Sequence, residues 1–264
     1  MTPTVTNNGL LAFNLNSNYG FAGVISGSGG VNKLGIGITT LTGANSYTGA
    51  TNVNAGTLLV NGNQSGATGL TSVANGATLG GTGTIGGSVT VANGGTLSPG
   101  GAGNAPGALT INGGLTLSST SNVNVNFGQA NVPGGPLNDV INIGGNFVLD
   151  GTLNVTQTPG GTFGPGVYRI FNYSGSLTNN GLNVTGSRLF RADLGRQPGQ
   201  PDQFGRPDTQ LLGRRRRTTR QQRGQWRRRP GAPPAIPTGP TVPALSWGRS
   251  RMPASPSSRV RQAW

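Results

Sequence analysis

Apolar residues along the first 188 positions come in short alternating pairs: Leu58 and Val60, Val89 and Val91, Leu109 and Ile111, Leu115 and Leu117, then Val123, Val125 and Phe127. A period of two is that of a strand with one face buried. The runs span only about 4–5 residues each, as strands bounded by turn residues do. Asn-Gly pairs punctuate them at Asn8-Gly9, Asn61-Gly62, Asn75-Gly76, Asn93-Gly94, Asn112-Gly113 and Asn180-Gly181, where left-handed backbone is cheap. Read alone, the turns also suit an antiparallel sandwich with a hairpin turn about every 8–12 residues. A longer recurrence decides against it. Asn54-Ala55-Gly56-Thr57-Leu58, Asn75-Gly76-Ala77-Thr78-Leu79 and Asn93-Gly94-Gly95-Thr96-Leu97 align, with their Thr-Leu pairs 21 and then 18 residues apart. Like residues returning at that distance predict a solenoid whose side chains stack in ladders. At about 20 residues per coil, 188 residues make roughly nine rungs about 4.8 Å apart, a rod about 40 Å long.

Composition narrows the chemistry. The chain has 264 residues with 49 Gly and 18 Pro, and it contains no Cys and no His. Glu is absent too, so Ser-His-Asp, Cys-His, two-histidine zinc and Glu-based acid/base sites are excluded. Without cysteine no disulfide framework exists. Residues 1–188 carry Lys33, Arg169 and Arg188 against Asp139 and Asp150, whereas residues 189–264 hold the remaining 16 basic and 3 acidic side chains. The near absence of charge suits stacked rungs, in which like charges would repel. No apolar run is long enough for a membrane-spanning helix. The opening Met1-Thr2-Pro3-Thr4-Val5-Thr6-Asn7-Asn8 lacks the basic and apolar regions of a signal peptide.

The phrases Leu41-Thr42-Gly43-Ala44-Asn45-Ser46-Tyr47-Thr48-Gly49 and Gly81-Thr82-Gly83-Thr84-Ile85-Gly86-Gly87, each followed by its Gly-Thr-Leu segment, resemble the autotransporter-associated beta-strand repeat. The stretch from Leu137-Asn138-Asp139-Val140-Ile141-Asn142 to Gly164-Pro165-Gly166-Val167-Tyr168 looks like the section that follows that repeat in the same bacterial proteins. The resemblance covers about residues 8–190. It implies an all-β, right-handed parallel β-helix in the passenger region of a type V secreted protein. It also implies export across the outer membrane through the protein's own C-terminal β-barrel, and a secreted or cell-surface location. The sequence departs from that plan in showing neither a signal peptide nor a following run of amphipathic barrel strands, which reads as a truncated fragment.

The tail, residues 191–264, is a different polymer. Arg214-Arg215-Arg216-Arg217, Arg220, Arg223 and Arg227-Arg228-Arg229, with Trp226 among them, fit a nucleic-acid-binding arm. They also fit a disordered Arg/Pro segment. A third reading is sharper: the tail uses Arg without Lys, as a GC-rich gene does when translated out of frame. Shifting the frame from Gly199 permits Val-Asn-Leu-Ile-Asn-Ser-Ala-Gly-Gln-Thr-Leu-Asn-Phe-Trp-Asp-Gly, ending at Arg214, with Gln200, Gln203 and Gln210 each restricted to Asn or Ser. That phrase resembles the end of the same autotransporter region. The expected domains are therefore a β-helical passenger repeat over 1–190 and a disordered, out-of-frame tail over 191–264.

No catalytic, cofactor-binding or metal-ligating residue is assigned. Asp139 and Asp150 lie 11 residues apart, about half a coil, which is wrong for a paired acid and base and reads as one solvated turn acid and one loop acid. Gly80-Gly81-Thr82-Gly83 and Gly100-Gly101-Ala102-Gly103 lack the Lys-Ser/Thr of a phosphate loop and read as solenoid turns. No calcium-binding nonapeptide is present. Tyr47, Tyr168, Tyr173, Phe163 and Phe171 suit core filling and capping better than contact with a glycan or host protein. The expectation is a non-catalytic β-helical stalk supporting export, with adhesion as a further role. The alternative, should the tail be genuine, is an Arg-rich nucleic-acid binder.

Overall fold

The computed structural model describes residues 3–185 and, for the backbone, 190–193. Strands from successive coils stack in parallel on three faces, which makes the described chain a parallel β-helix. The first face holds eight strands: Leu10–Phe13, Gly30–Lys33, Thr51–Val53, Thr71–Val73, Val89–Val91, Leu115–Leu117, Phe147–Leu149 and Leu177–Asn179. The second also holds eight, from Tyr19–Phe21 through Thr57–Val60, Thr78–Gly81 and Thr96–Pro99 to Asn183–Thr185. The third runs through Asn63–Gln64, Thr84–Ile85, Ala108–Ile111, Val140–Ile143 and Phe171–Tyr173, with Thr4–Thr6 beside Val24–Ser26 at its start. The tail's arginines and the frame-shifted phrase lie outside the described residues.

The recurrent Thr-Leu phrases are the ladder itself. Thr57, Thr78 and Thr96 are in register, as are Leu58, Leu79 and Leu97, and Val123 and Leu153 extend the leucine column. All five of those apolar side chains are buried. On the first face Thr51, Thr71, Val89, Leu115 and Phe147 form one inward column. Val31 precedes Thr51 in the column and Leu177 follows Phe147, so successive coils fill the same place with side chains of different size.

The coils are not uniform. First-face partners are 20 residues apart through Thr71, then 18, 26, 32 and 30. Longer late coils leave eight rungs where even spacing predicts nine, an axial span of about 34 Å at strand spacing. Most of the added length sits at one corner and in the second-face strands leading into it, Asn122–Gln129 and Thr152–Thr162. Between the second and third faces the connection is two residues at Asn61-Gly62 and at Thr82-Gly83, then 100–107, 130–139 and 163–170. Between the third and first faces the later turns stay at three residues: 86–88, 112–114, 144–146 and 174–176.

That constant corner carries a column absent from the sequence reading: Gly9, Gly29, Gly49, Gly69, Gly87, Gly113, Gly145 and Gly175. From Gly29 onward, a Cβ on each would lie less than 3 Å from backbone of the preceding glycine in the column. The rungs meet here backbone to backbone, with Gly49 N–H donating to Gly29 O and Gly175 N–H to Gly145 O, each at 3.1 Å. Of the six Asn-Gly turns, Gly76, Gly94 and Gly181 have the left-handed φ that the pattern predicts. Gly62 and Gly113 do not, and owe their place to close approach, since a Cβ there would meet Gly43 O and Ser88 N.

Asparagine fastens rung to rung. The side-chain oxygens of Asn8, Asn16, Asn18 and Asn61 accept from the backbone N–H of Ser28, Ile36, Ile38 and Thr82, one coil later. Outward amides also stack, Asn52 on Asn32 at 2.9 Å and Asn172 on Asn142 at 2.8 Å. Uncharged side chains that donate and accept can repeat indefinitely along such a column.

Candidate functional site

The elaborated corner is where the coil stops being generic. Three consecutive insertions stack there, and Asn138 and Asp139 tie them together. Asn138 Oδ1 accepts from the backbone N–H of Gly128 and Gln129, while its Nδ2 donates to the carbonyls of Gln129 and Val132. Asp139 Oδ1 accepts from Gly107 N–H at 2.7 Å, which binds the first insertion. Its Oδ2 accepts from Asn126 N–H at 2.7 Å and from Asn126 Nδ2 at 3.2 Å. The third insertion joins through Asn131 N–H to Val167 O and Val167 N–H to Asn131 Oδ1. Beneath them Phe127, Phe163 and Tyr168 pack with ring centroids 4.8 and 5.1 Å apart about Tyr168. Rigid loops on a rigid scaffold are the usual platform for recognition.

Asp139 is fully buried, not a solvated acid as expected. Burial raises its pKa from 3.8 to about 6, against the opposing pull of its hydrogen bonds from Asn126 and Gly107. Asp150 stands at a different corner, between the first and second faces, and accepts from Gly151 N–H at 2.8 Å. The two carboxylates do not form a pair. Gly100 and Gly103 belong to the first insertion with left-handed φ, whereas Gly80 and Gly81 end the strand Thr78–Gly81 and are not in a turn. Tyr47 is buried with its hydroxyl 2.6 Å from Thr51 Oγ1. Tyr168 is buried and donates to Gly164 O, and Phe171 is buried with its ring 4.7 Å from that of Phe147. Tyr173 and Phe163 pack against the core from partly buried positions. Among the described residues no three acids, histidines or cysteines gather as a metal site, and no helix is long and apolar enough to cross a membrane.

Lys33 was legible only as a charge. It occupies the inward column between Phe13 and Val53, fully buried, with Nζ donating to the carbonyls of Gly35 and Ala55. Burial lowers its pKa from the ordinary 10.5. The unfolded chain therefore holds this proton more tightly, and stability gains as pH rises through the lowered value toward 10.5. Lys33→Met is expected to remove that alkaline gain and to raise the melting temperature at neutral pH. Thermal unfolding of both proteins across the alkaline range checks it, and an unchanged pH slope refutes it.

A three-faced parallel coil, widened at one corner, defines a parallel β-helical solenoid. Residues 31–60, the second coil and the first half of the third, match the Passenger-associated-transport-repeat family. The chain is also similar to the adhesin BmaC autotransporter of Brucella suis biovar 1 (strain 1330), with 58% identity over 164 residues, which is 62% of this chain. It spans only 5% of that relative's length. Together these similarities support reading the coils as an autotransporter passenger repeat.

Proposed function

We propose that the chain is a non-catalytic segment of a secreted or surface-displayed passenger, a β-helical stalk that presents the stacked insertions of its one elaborated corner. The observation carrying this reading is that the late coils lengthen chiefly at that corner and in the second-face strands that lead into it, Asn122–Gln129 and Thr152–Thr162, while the late turns between the third and first faces stay at three residues. The family match and the adhesin relative support an outer-membrane or extracellular location, with an outer-membrane translocator and surface ligands as partners. Templating of each rung by the one before suits a chain that emerges from a pore end first. The Arg-rich tail is, in this reading, out-of-frame translation with no role in binding nucleic acid. Resequencing the gene beyond codon 190 tests that directly, since stop codons soon met in the shifted frame would overturn it.

For the stalk itself, the full chain is fused between a secretory signal and an outer-membrane barrel. Protease should then cut it at the bacterial surface only beyond the coil. Replacing the tip residues 132–136 with a short Gly-Ser link should leave export intact and reduce adhesion of the bacteria to host cells. Adhesion unchanged by that replacement would remove the corner from the proposal, and failure to reach the surface would remove the stalk.

A further inference from the structure

Six Asn-Gly pairs share one chemical liability. The glycine amide nitrogen can attack the asparagine Cγ: the N–Cγ bond forms, the Cγ–Nδ2 bond breaks, and ammonia leaves with the proton from the attacking amide. Water then opens the cyclic imide at either carbonyl, leaving aspartate or isoaspartate. Glycine permits the attack because no side chain shields its nitrogen. The reaction needs the glycine N–H free to lose its proton and the asparagine side chain free to swing toward it.

In five of the pairs at least the first need is blocked. Gly62 N–H donates to Leu41 O, Gly76 N–H to Gly94 O and Gly94 N–H to Thr120 O, at 3.0–3.1 Å. Gly9 N–H donates to Asn7 Oδ1 and Gly181 N–H to Asn179 Oδ1, at 3.2 and 3.0 Å. Three of the side chains are held as well, Asn8 by Ser28, Asn61 by Thr82 and Asn93 by Thr120. Asn112-Gly113 differs on both counts. Gly113 N–H has no acceptor and the Asn112 side chain makes no hydrogen bond, though Asn112 N–H itself donates to Ile85 O. Asn112 is exposed and lines an open cleft of about 420 Å³ with Asn142, Arg169 and Asn172, so water reaches it.

We propose that Asn112-Gly113 is the folded chain's site of spontaneous deamidation and isoaspartate formation, selected from six equivalent sequences by its free glycine amide and untethered side chain. The site has a structural consequence. Isoaspartate adds a backbone carbon next to Gly113, a member of the glycine column, where a Cβ would already fall within 3 Å of the preceding rung's backbone and Gly145 N–H donates to Gly113 O at 2.9 Å. Conversion is expected to loosen the coil at its middle and to place a new negative charge in the cleft.

The test incubates the full chain in mildly alkaline buffer, folded and in parallel in concentrated urea, and follows each Asn-Gly peptide by mass spectrometry with isoaspartate detection. In the folded chain Asn112 should convert about tenfold faster than Asn61 or Asn93, the factor that about one retained hydrogen bond makes in a rate. In urea the six rates should converge. Asn112→Gln should abolish that product alone. Folded-state conversion of any other pair as fast as Asn112, or six equal rates in the folded chain, would overturn the assignment.

Discussion

Gly69→Ala should cost about 1–3 kcal/mol, the usual range for forcing a methyl into packed structure. The same change at Gly9 should cost nothing. Both residues occupy the glycine column between the third and first faces. Gly69 sits between rungs: a Cβ on it would fall within 3 Å of the Gly49 carbonyl, and a Cβ on Gly87 in the next coil would fall equally close to the Gly69 carbonyl. Gly9 begins the column and has nothing within 4 Å of its Cβ position. There, alanine only reduces the freedom of the unfolded chain, a gain of about 0.4–1 kcal/mol. Because backbone and not a flexible side chain is the obstacle, Gly69→Ala must either spread two rungs or break the hydrogen bonds across the corner. Urea unfolding of the two variants beside the parent decides it: equal effects would mean that the column is a by-product of glycine-rich composition and not the seam along which rungs close. Gly69→Val should be worse than Gly69→Ala, since a branched Cβ has no rotamer that avoids the carbonyl.

How much of this could be seen beforehand depends on which residues repeat. The Thr-Leu phrases at 57, 78 and 96 were legible because an inward ladder needs the same side chain at each turn, and the register of the second face follows them residue for residue. The glycine column was not legible for two reasons. With 49 glycines in the chain any spacing finds one, and the column's intervals stretch from 18 to 32 residues once the insertions begin. Asp139 was misread because its burial comes from chain far away in sequence, Gly107 and Asn126, which only the stacking of two insertions brings to it. Lys33 shows the limit of charge counting. A lone lysine in an uncharged repeat reads as a surface residue, yet the alternation Gly30–Lys33 puts it on the inward face with Val31, and its long stem lets the amine reach the corner carbonyls. The alternation was a usable signal there, which a count of charges does not use.

The buried carboxylate makes the elaborated corner sensitive to acid in an unusual direction. Burial raises the folded pKa of Asp139 from 3.8 to about 6, so the folded chain binds a proton that the unfolded chain has already released at pH 5. Its favourable contribution is complete below 3.8 and is lost as pH rises through about 6, a change of about 3 kcal/mol between the two ends. Wild type should therefore gain stability on mild acidification, where carboxylates bound in salt bridges would lose it. Asp139→Asn isolates the effect. The amide keeps one acceptor but turns an N–H toward a backbone or Asn126 donor, a cost of about 1–3 kcal/mol that does not vary with pH. The difference in unfolding free energy between the parent and Asp139→Asn, measured in urea at pH 4 and pH 7, should thus shift by about 2 kcal/mol in favour of the parent at the lower pH. A shift of the opposite sign would mean that the three hydrogen bonds to Asp139 outweigh its burial. In that case the corner would be held by an ionised carboxylate, and acid would open the insertions instead of tightening them.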